Sequence, residues 1–167
     1  MRVLGIDPGS ETTGWGVIDG DARRYRLVEF GTVKASPRER FAARLLKISD
    51  GVERLIEKFR PDVCAVEEAF FAVNAKTALK LGQVRGVAIL AASYSGLEVA
   101  EYSPLAIKSA VVGYGKADKH QVQSMIVRLL KLDSPPERLD ASDALAIAIC
   151  HLHTAGTLSR YHALGRG

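Results

Sequence analysis

The chain has 167 residues, a formal net charge of +4 and a pI near 9.2, with 47% hydrophobic and 25% charged residues. The length suits one domain with a sizeable core, and the composition is that of a globular protein rather than a disordered or low-complexity one. The basic balance mildly favours an anionic partner such as nucleic acid. Cys64 and Cys150 each sit inside an apolar run and read as buried free thiols of a reducing compartment. The N-terminus carries no basic flank followed by a long apolar region, and no apolar run reaches the ~18 residues of a membrane span. A cytoplasmic location is expected.

In chain order, residues 2–7 alternate around Val3, Leu4 and Ile6 and predict a strand ending on Asp7. Pro8-Gly9 suits a tight turn, and residues 13–18 and 25–34 predict two further strands in an antiparallel meander. Ser36-Pro37-Arg38-Glu39 predicts a helix start with a capping box, and apolar residues from Phe41 to Phe59 recur at helical spacing until Pro61. Residues 62–67 predict a fourth strand, 75–92 a helix and 97–102 a fifth strand. Ser103-Pro104 and Asp118 each open a helix, and 133–138 form a loop. A last helix is expected from about Asp140 to His153, with a flexible tail over residues 156–167 after a single domain of residues 1–155. This order predicts an α/β fold, a mixed sheet with helices on both faces.

The carboxylates stand out against that frame. Alternation puts Val3, Gly5 and Asp7 on one face of the first strand, and Val63, Ala65 and Glu67 on one face of the fourth; Glu68 points the other way. If those strands are parallel neighbours, Asp7 and Glu67 lie side by side at the carboxyl edge, where open α/β sheets build their sites. In "DASDALAIAI", Asp140 and Asp143 are i, i+3 neighbours, backed by Leu145, Ile147 and Ile149. Each acid alone is more often structural, a turn former or a helix cap. Together they would repel one another in a desolvated site unless divalent cations joined them, and oxygen donors of this kind suit magnesium or manganese.

The stretches "GIDPGSETTGWGV", "AVEEAFFAVNAKTALKLGQVRGVA", "VVGYGKADKHQVQSMI" and "DASDALAIAICH" resemble, in order and spacing, the RuvC family of Holliday junction resolvases. The resemblance implies an RNase H-like fold with a five-stranded mixed sheet, three N-terminal antiparallel strands and two further parallel ones. It implies that Asp7, Glu67, Asp140 and Asp143 are the catalytic and metal-binding acids, with two Mg2+ ions per site and Mn2+ as a substitute. It also implies a homodimer that nicks four-way junction DNA symmetrically in recombination and repair, together with the RuvA and RuvB branch-migration proteins. Two-metal hydrolysis would leave 5′-phosphate and 3′-hydroxyl ends. Glu68, facing away, is the poorest catalytic candidate of the five acids.

Phe70 and Phe71 follow Glu67 closely. An exposed ring there could stack on an unpaired base, and the resemblance favours Phe70 for that role and Asn74 as a neighbouring DNA contact. Basic residues gather at Lys108, Lys116, Lys119, His120, Arg128 and Lys131, and the resemblance points to Lys108 and Lys119 as the lysines near the cleaved phosphate. "GYGKADK" joins a glycine-rich loop to a helix start and is expected to seat a phosphate. "ALKLGQVRGVAILAA" is apolar around most of its circumference, which a two-fold partner would explain. His151 and His153 lie far along the last helix and read as ordinary. Two other readings compete: a nuclease of the same fold acting on another branched or hybrid nucleic acid, and an actin-like phosphotransferase. The second lacks a second domain and both nucleotide fingerprints.

Overall fold

The structure is a computed structural model that describes residues 1–68 and 74–164, with side chains described as far as Thr157. Five strands form one mixed sheet in the order β3-β2-β1-β4-β5. They are β1 (Arg2–Asp7), β2 (Thr12–Gly20), β3 (Tyr25–Lys34), β4 (Val63–Glu67) and β5 (Glu98–Tyr102). The first three run antiparallel as a meander, while β4 and β5 add on parallel to β1. The helices are α1 (Phe41–Phe59), α2 (Ala75–Tyr94), α3 (Pro104–Val112), α4 (Lys119–Leu130) and α5 (Leu139–Leu164). The α1 crossover between β1–β3 and β4, and the α2 crossover between β4 and β5, are what allow parallel neighbours.

The period-two alternation of the strands sorts side chains into two cores. Val3, Ile18, Val63 and Ala65 pack with α3, α4 and α5 on one face. Leu4, Ile6, Trp15, Val17, Cys64 and Val66 pack with α1 and α2 on the other. Both cysteines are free and buried. No helix among the described residues is long and apolar enough to cross a membrane.

α5 lies unusually low on the sheet. A Cβ on Gly5 would stand 2.1 Å from the Ala144 carbonyl oxygen, and one on Gly14 would stand 1.9 Å from that of Asp140. At Gly16 the nearest atom would be the Leu145 side chain, at 2.6 Å. Backbone therefore meets backbone across β1 and β2, which only glycine permits, and Ala144 and Ala148 keep the helix side of the contact equally slim. Leu145, Ile147 and Ile149 are fully buried and hold the helix down.

Two expected helix boundaries move. α1 begins at Phe41 rather than beside Pro37, because Ser36–Glu39 closes a turn of its own. The Ser36 N–H reaches the Glu39 carboxylate at 3.2 Å, so half of the expected capping box forms ahead of the helix it was to cap. α5 continues through Gly156 to Leu164 instead of ending near His153. Gly156 is a packing residue there: a Cβ would stand 2.3 Å from that of Ala22.

Replacing Gly5 with alanine forces a methyl into backbone that cannot yield. Gly5→Ala is expected to lower unfolding free energy by about 1–3 kcal/mol, as overpacking does. Urea unfolding measures this, and an unchanged midpoint would contradict the close approach.

Candidate active site

β1 ends on Asp7 and β4 on Glu67, and the parallel register that pairs Ile6 with Val66 sets the two acids level at the carboxyl edge of the sheet. Both project toward the face that α5 covers, as the alternation predicts. Asp7 is paired in register with Gly14, the residue over which the Asp140 backbone rests. The glycine contact thereby brings the first turns of α5, with Asp140 and Asp143, to the strand-end acids.

The electrostatics show the four acids acting on one another. Burial, then repulsion from Asp143, Glu67 and Asp140, pushes Asp7 up to about 7, with Lys119 opposing. Burial and Asp143 raise Glu67, while Lys119 and Lys108 oppose. Asp143 is also raised by burial, against the pull of Lys119 and with added repulsion from Asp140. Lys119, at the start of α4, places Nζ 3.4 Å from Asp143 Oδ2, and that contact holds the lysine above its ordinary value. Lys108 on α3 joins Glu67, Lys119 and Asp143 around a groove of about 250 Å³.

The donor set fits a hard divalent cation. It contains oxygen ligands alone, from three separate elements, with more negative charge than the neighbouring lysine neutralises. As the side chains stand, no three His, Cys, Asp or Glu among the described residues are grouped to hold an ion. The fit therefore rests on donor chemistry and unbalanced charge.

A family model described as "Crossover junction endodeoxyribonuclease RuvC" matches residues 3–151. The chain belongs to the RuvC family. A relative of that name from Koribacter versatilis (strain Ellin345) is 56% identical over 164 residues, covering 98% of this chain and 99% of the relative. The relative from Chloroflexus aurantiacus (strain ATCC 29366 / DSM 635 / J-10-fl) is 50% identical, covering 96% and 98%. A solved structure, "T. thermophilus RuvC in complex with Holliday junction substrate", is 37% identical with a TM-score of 0.89, covering 94% of this chain and 96% of that one. The yeast mitochondrial Holliday junction resolvase Ydc2 shares the fold, with a TM-score of 0.73 at 16% identity, covering 98% and 82%.

Against this RuvC family frame, the other expected site residues divide. Asn74 caps α2, its side-chain oxygen accepting from the Thr77 N–H at 2.9 Å. Phe70 and Phe71 lie outside the described residues. At the phosphate seat expected at "GYGKADK", Asp118 accepts from the Gln121 N–H and Gln121 accepts from the Asp118 N–H, so the capping box takes up those two N–H groups at the start of α4. His120 and Arg128 line a separate hollow on α4. His151 bonds Tyr102 Oη through Nδ1 at 2.9 Å and is kept below its ordinary pKa by burial.

Several supporting residues carry no signal in the sequence. Thr13, buried, donates its hydroxyl to the Gly9 carbonyl at 3.0 Å and braces the turn after Asp7. Arg44, a buried residue of α1, donates to the Ser10 carbonyl through Nε at 2.9 Å. Arg138 donates to Thr12 Oγ1 at 3.0 Å and approaches Asp140 at 3.8 Å, joining β2 to the start of α5. Arg85 of α2 donates from Nε to the Glu67 carbonyl at 2.9 Å.

The raised carboxyl of Asp7 has a thermodynamic sign. Between the unfolded value near 4 and the folded value of about 7, the native state holds a proton that the unfolded chain has lost. Stability of the cation-free protein therefore falls as pH rises through that window. Asp7→Asn removes the penalty and is expected to stabilise the chelator-treated protein at pH 8 by on the order of 3 kcal/mol, but not at pH 4. Urea midpoints at both pH values check this; no gain at pH 8 would contradict the crowding of the acids.

Proposed function

We propose that this chain resolves four-way (Holliday) DNA junctions as a structure-specific endodeoxyribonuclease, by symmetric metal-dependent nicking in homologous recombination and DNA repair. One observation carries the reading: in a member of the crossover junction endodeoxyribonuclease family, two strand-end acids and a paired-acid helix start converge at one sheet edge. The RuvC relative from T. thermophilus is seen with a Holliday junction substrate, which supports the same substrate class here.

Asp7, Glu67, Asp140 and Asp143 are the residues that would hold Mg2+, or Mn2+ in its place, as two ions per site. When bound, the cations supply an activated water nucleophile and offset charge on the departing 3′ oxygen, leaving 5′-phosphate and 3′-hydroxyl ends. Asp7, flanked by the other three acids, takes the central position. Lys119 and Lys108 bring positive charge to the groove and offset that of the incoming phosphodiester. Asn74, exposed at the start of α2, retains its amide N–H donors for a DNA contact while its oxygen caps the helix. Phe70 is assigned to stacking on a base exposed at the junction centre, by resemblance alone.

Symmetric nicking needs two sites, and α2 offers a surface for a second copy. Leu79, Leu90 and Tyr94 are exposed on it, and a Cβ on Gly82 or Gly86 would meet open space. A homodimer through this helix, working with RuvA and RuvB in the cytoplasm, completes the proposal. Residues 1–155 act as the nuclease domain.

The test is cleavage of synthetic four-way junctions in magnesium, beside plain duplex and an RNA–DNA hybrid. Paired nicks in the junction alone are expected. Asp7→Asn, Glu67→Gln and Asp143→Asn should each cut at least ~100-fold more slowly yet bind the junction as tightly, since each removes a ligand and reduces repulsion toward phosphate. Preferential cutting of the hybrid would favour the alternative substrate. Near-normal rates in any variant would remove that acid from the site.

A further inference from the structure

The peptide between Glu67 and Glu68 is held from both sides. Its N–H donates to the Tyr102 carbonyl at 2.8 Å, continuing the β4–β5 ladder. Its C=O faces the other way, past the last β1–β4 register pair at Ile6 and Val66, where no strand among the described residues continues the ladder. Arg85 meets it there, with Nε 2.9 Å from the Glu67 oxygen. The same guanidinium pairs through Nη2 with the carboxylate of Glu101 on β5.

From this geometry we infer that Arg85 is a positioning residue for Glu67: it fixes the backbone from which that carboxylate projects, and it does so without touching DNA. The inference rests on the assignment of the acids given above. A guanidinium presents its N–H groups in a rigid fork, so one side chain serves a carbonyl and a carboxylate in fixed relation. Glu101 orients the fork, and the fork orients the peptide. The side chain is 21% exposed, and among the described residues it bonds the Glu67 carbonyl and the Glu101 carboxylate. Groups that orient ligating residues commonly change affinity or rate by 10- to 100-fold when lost, because a small displacement at the reacting centre is costly.

Lysine at this position keeps the charge beside Glu101 but lacks the fork, whereas glutamine loses the charge as well. For Arg85→Lys and Arg85→Gln, three quantities decide the matter: Mn2+ affinity of the DNA-free protein, junction Kd without divalent ions, and the single-turnover cleavage rate. Both variants are expected to bind Mn2+ more weakly and cleave about 10- to 100-fold more slowly, with junction Kd unchanged within about twofold. Melting temperature should stay near that of the wild type in Arg85→Lys, so that variant alone suffices if Arg85→Gln does not fold. Wild-type Mn2+ affinity and cleavage rate in Arg85→Lys would overturn the inference. So would a loss of rate matched by an equal loss of junction affinity, which marks a DNA contact, or by a fall in its melting temperature, which marks a purely structural role. A wild-type chain whose Mn2+ affinity is unchanged by Asp7→Asn and Glu67→Gln overturns the assignment of the acids, and the inference with it.

Discussion

The site depends on how closely α5 approaches the sheet. A helix covering a sheet normally rides on a layer of side chains. Here the Ala144 and Asp140 carbonyls lie where β-carbons of Gly5 and Gly14 would be. That removes the layer at one spot, and the acids at the head of α5 meet the acids at the ends of β1 and β4. Glycine in a strand interior weakens the strand. The apolar burial of Leu145, Ile147 and Ile149 behind the contact offsets that weakness.

The closeness has an electrostatic consequence. Burial, reinforced by repulsion from neighbouring carboxylates, holds Asp7, Glu67 and Asp143 above their ordinary pKa values, and Asp7 rises to about 7. Lys119 relieves Asp143 only in part, since its amine lies 3.4 Å away on an exposed helix start. A cluster poised in this way works against the stability of the cation-free protein and toward cation binding. It also gives a polyanion no reason to enter unless positive charge is supplied. Lys108 and Lys119 supply some of it on the groove's wall. Arg138, Arg44, Thr13 and Arg85 spend their hydrogen bonds on protein backbone and side chains, bracing the segments that carry the acids.

Much of this was legible because it follows from period. A step of two put Asp7 and Glu67 on one face, and a step of three paired Asp140 with Asp143; both are local rules that the fold obeys. The helix start at Asp118 was equally local, and α4 begins there with Asp118 as its cap. What escaped was set by distant partners. Gly156 reads as a helix stop until Ala22 is known to press against it. Arg85 reads as one of three cations on a largely apolar helix until the Glu67 carbonyl that it bonds is known to lie beside it. Ser36–Glu39 satisfied the pattern of a helix start, but closed a separate turn that ends two residues before α1. Sequence signals of this kind name the hydrogen bonds available, not the element that uses them.

The central claim is that four carboxylates from β1, β4 and α5 form one cation site. Anomalous diffraction from crystals soaked in Mn2+ tests it directly. Manganese peaks bounded by Asp7, Glu67, Asp140 and Asp143 are expected, lost in Asp7→Asn crystals treated alike. Well-diffracting crystals with no peak there, or with manganese held only by other residues, would contradict it.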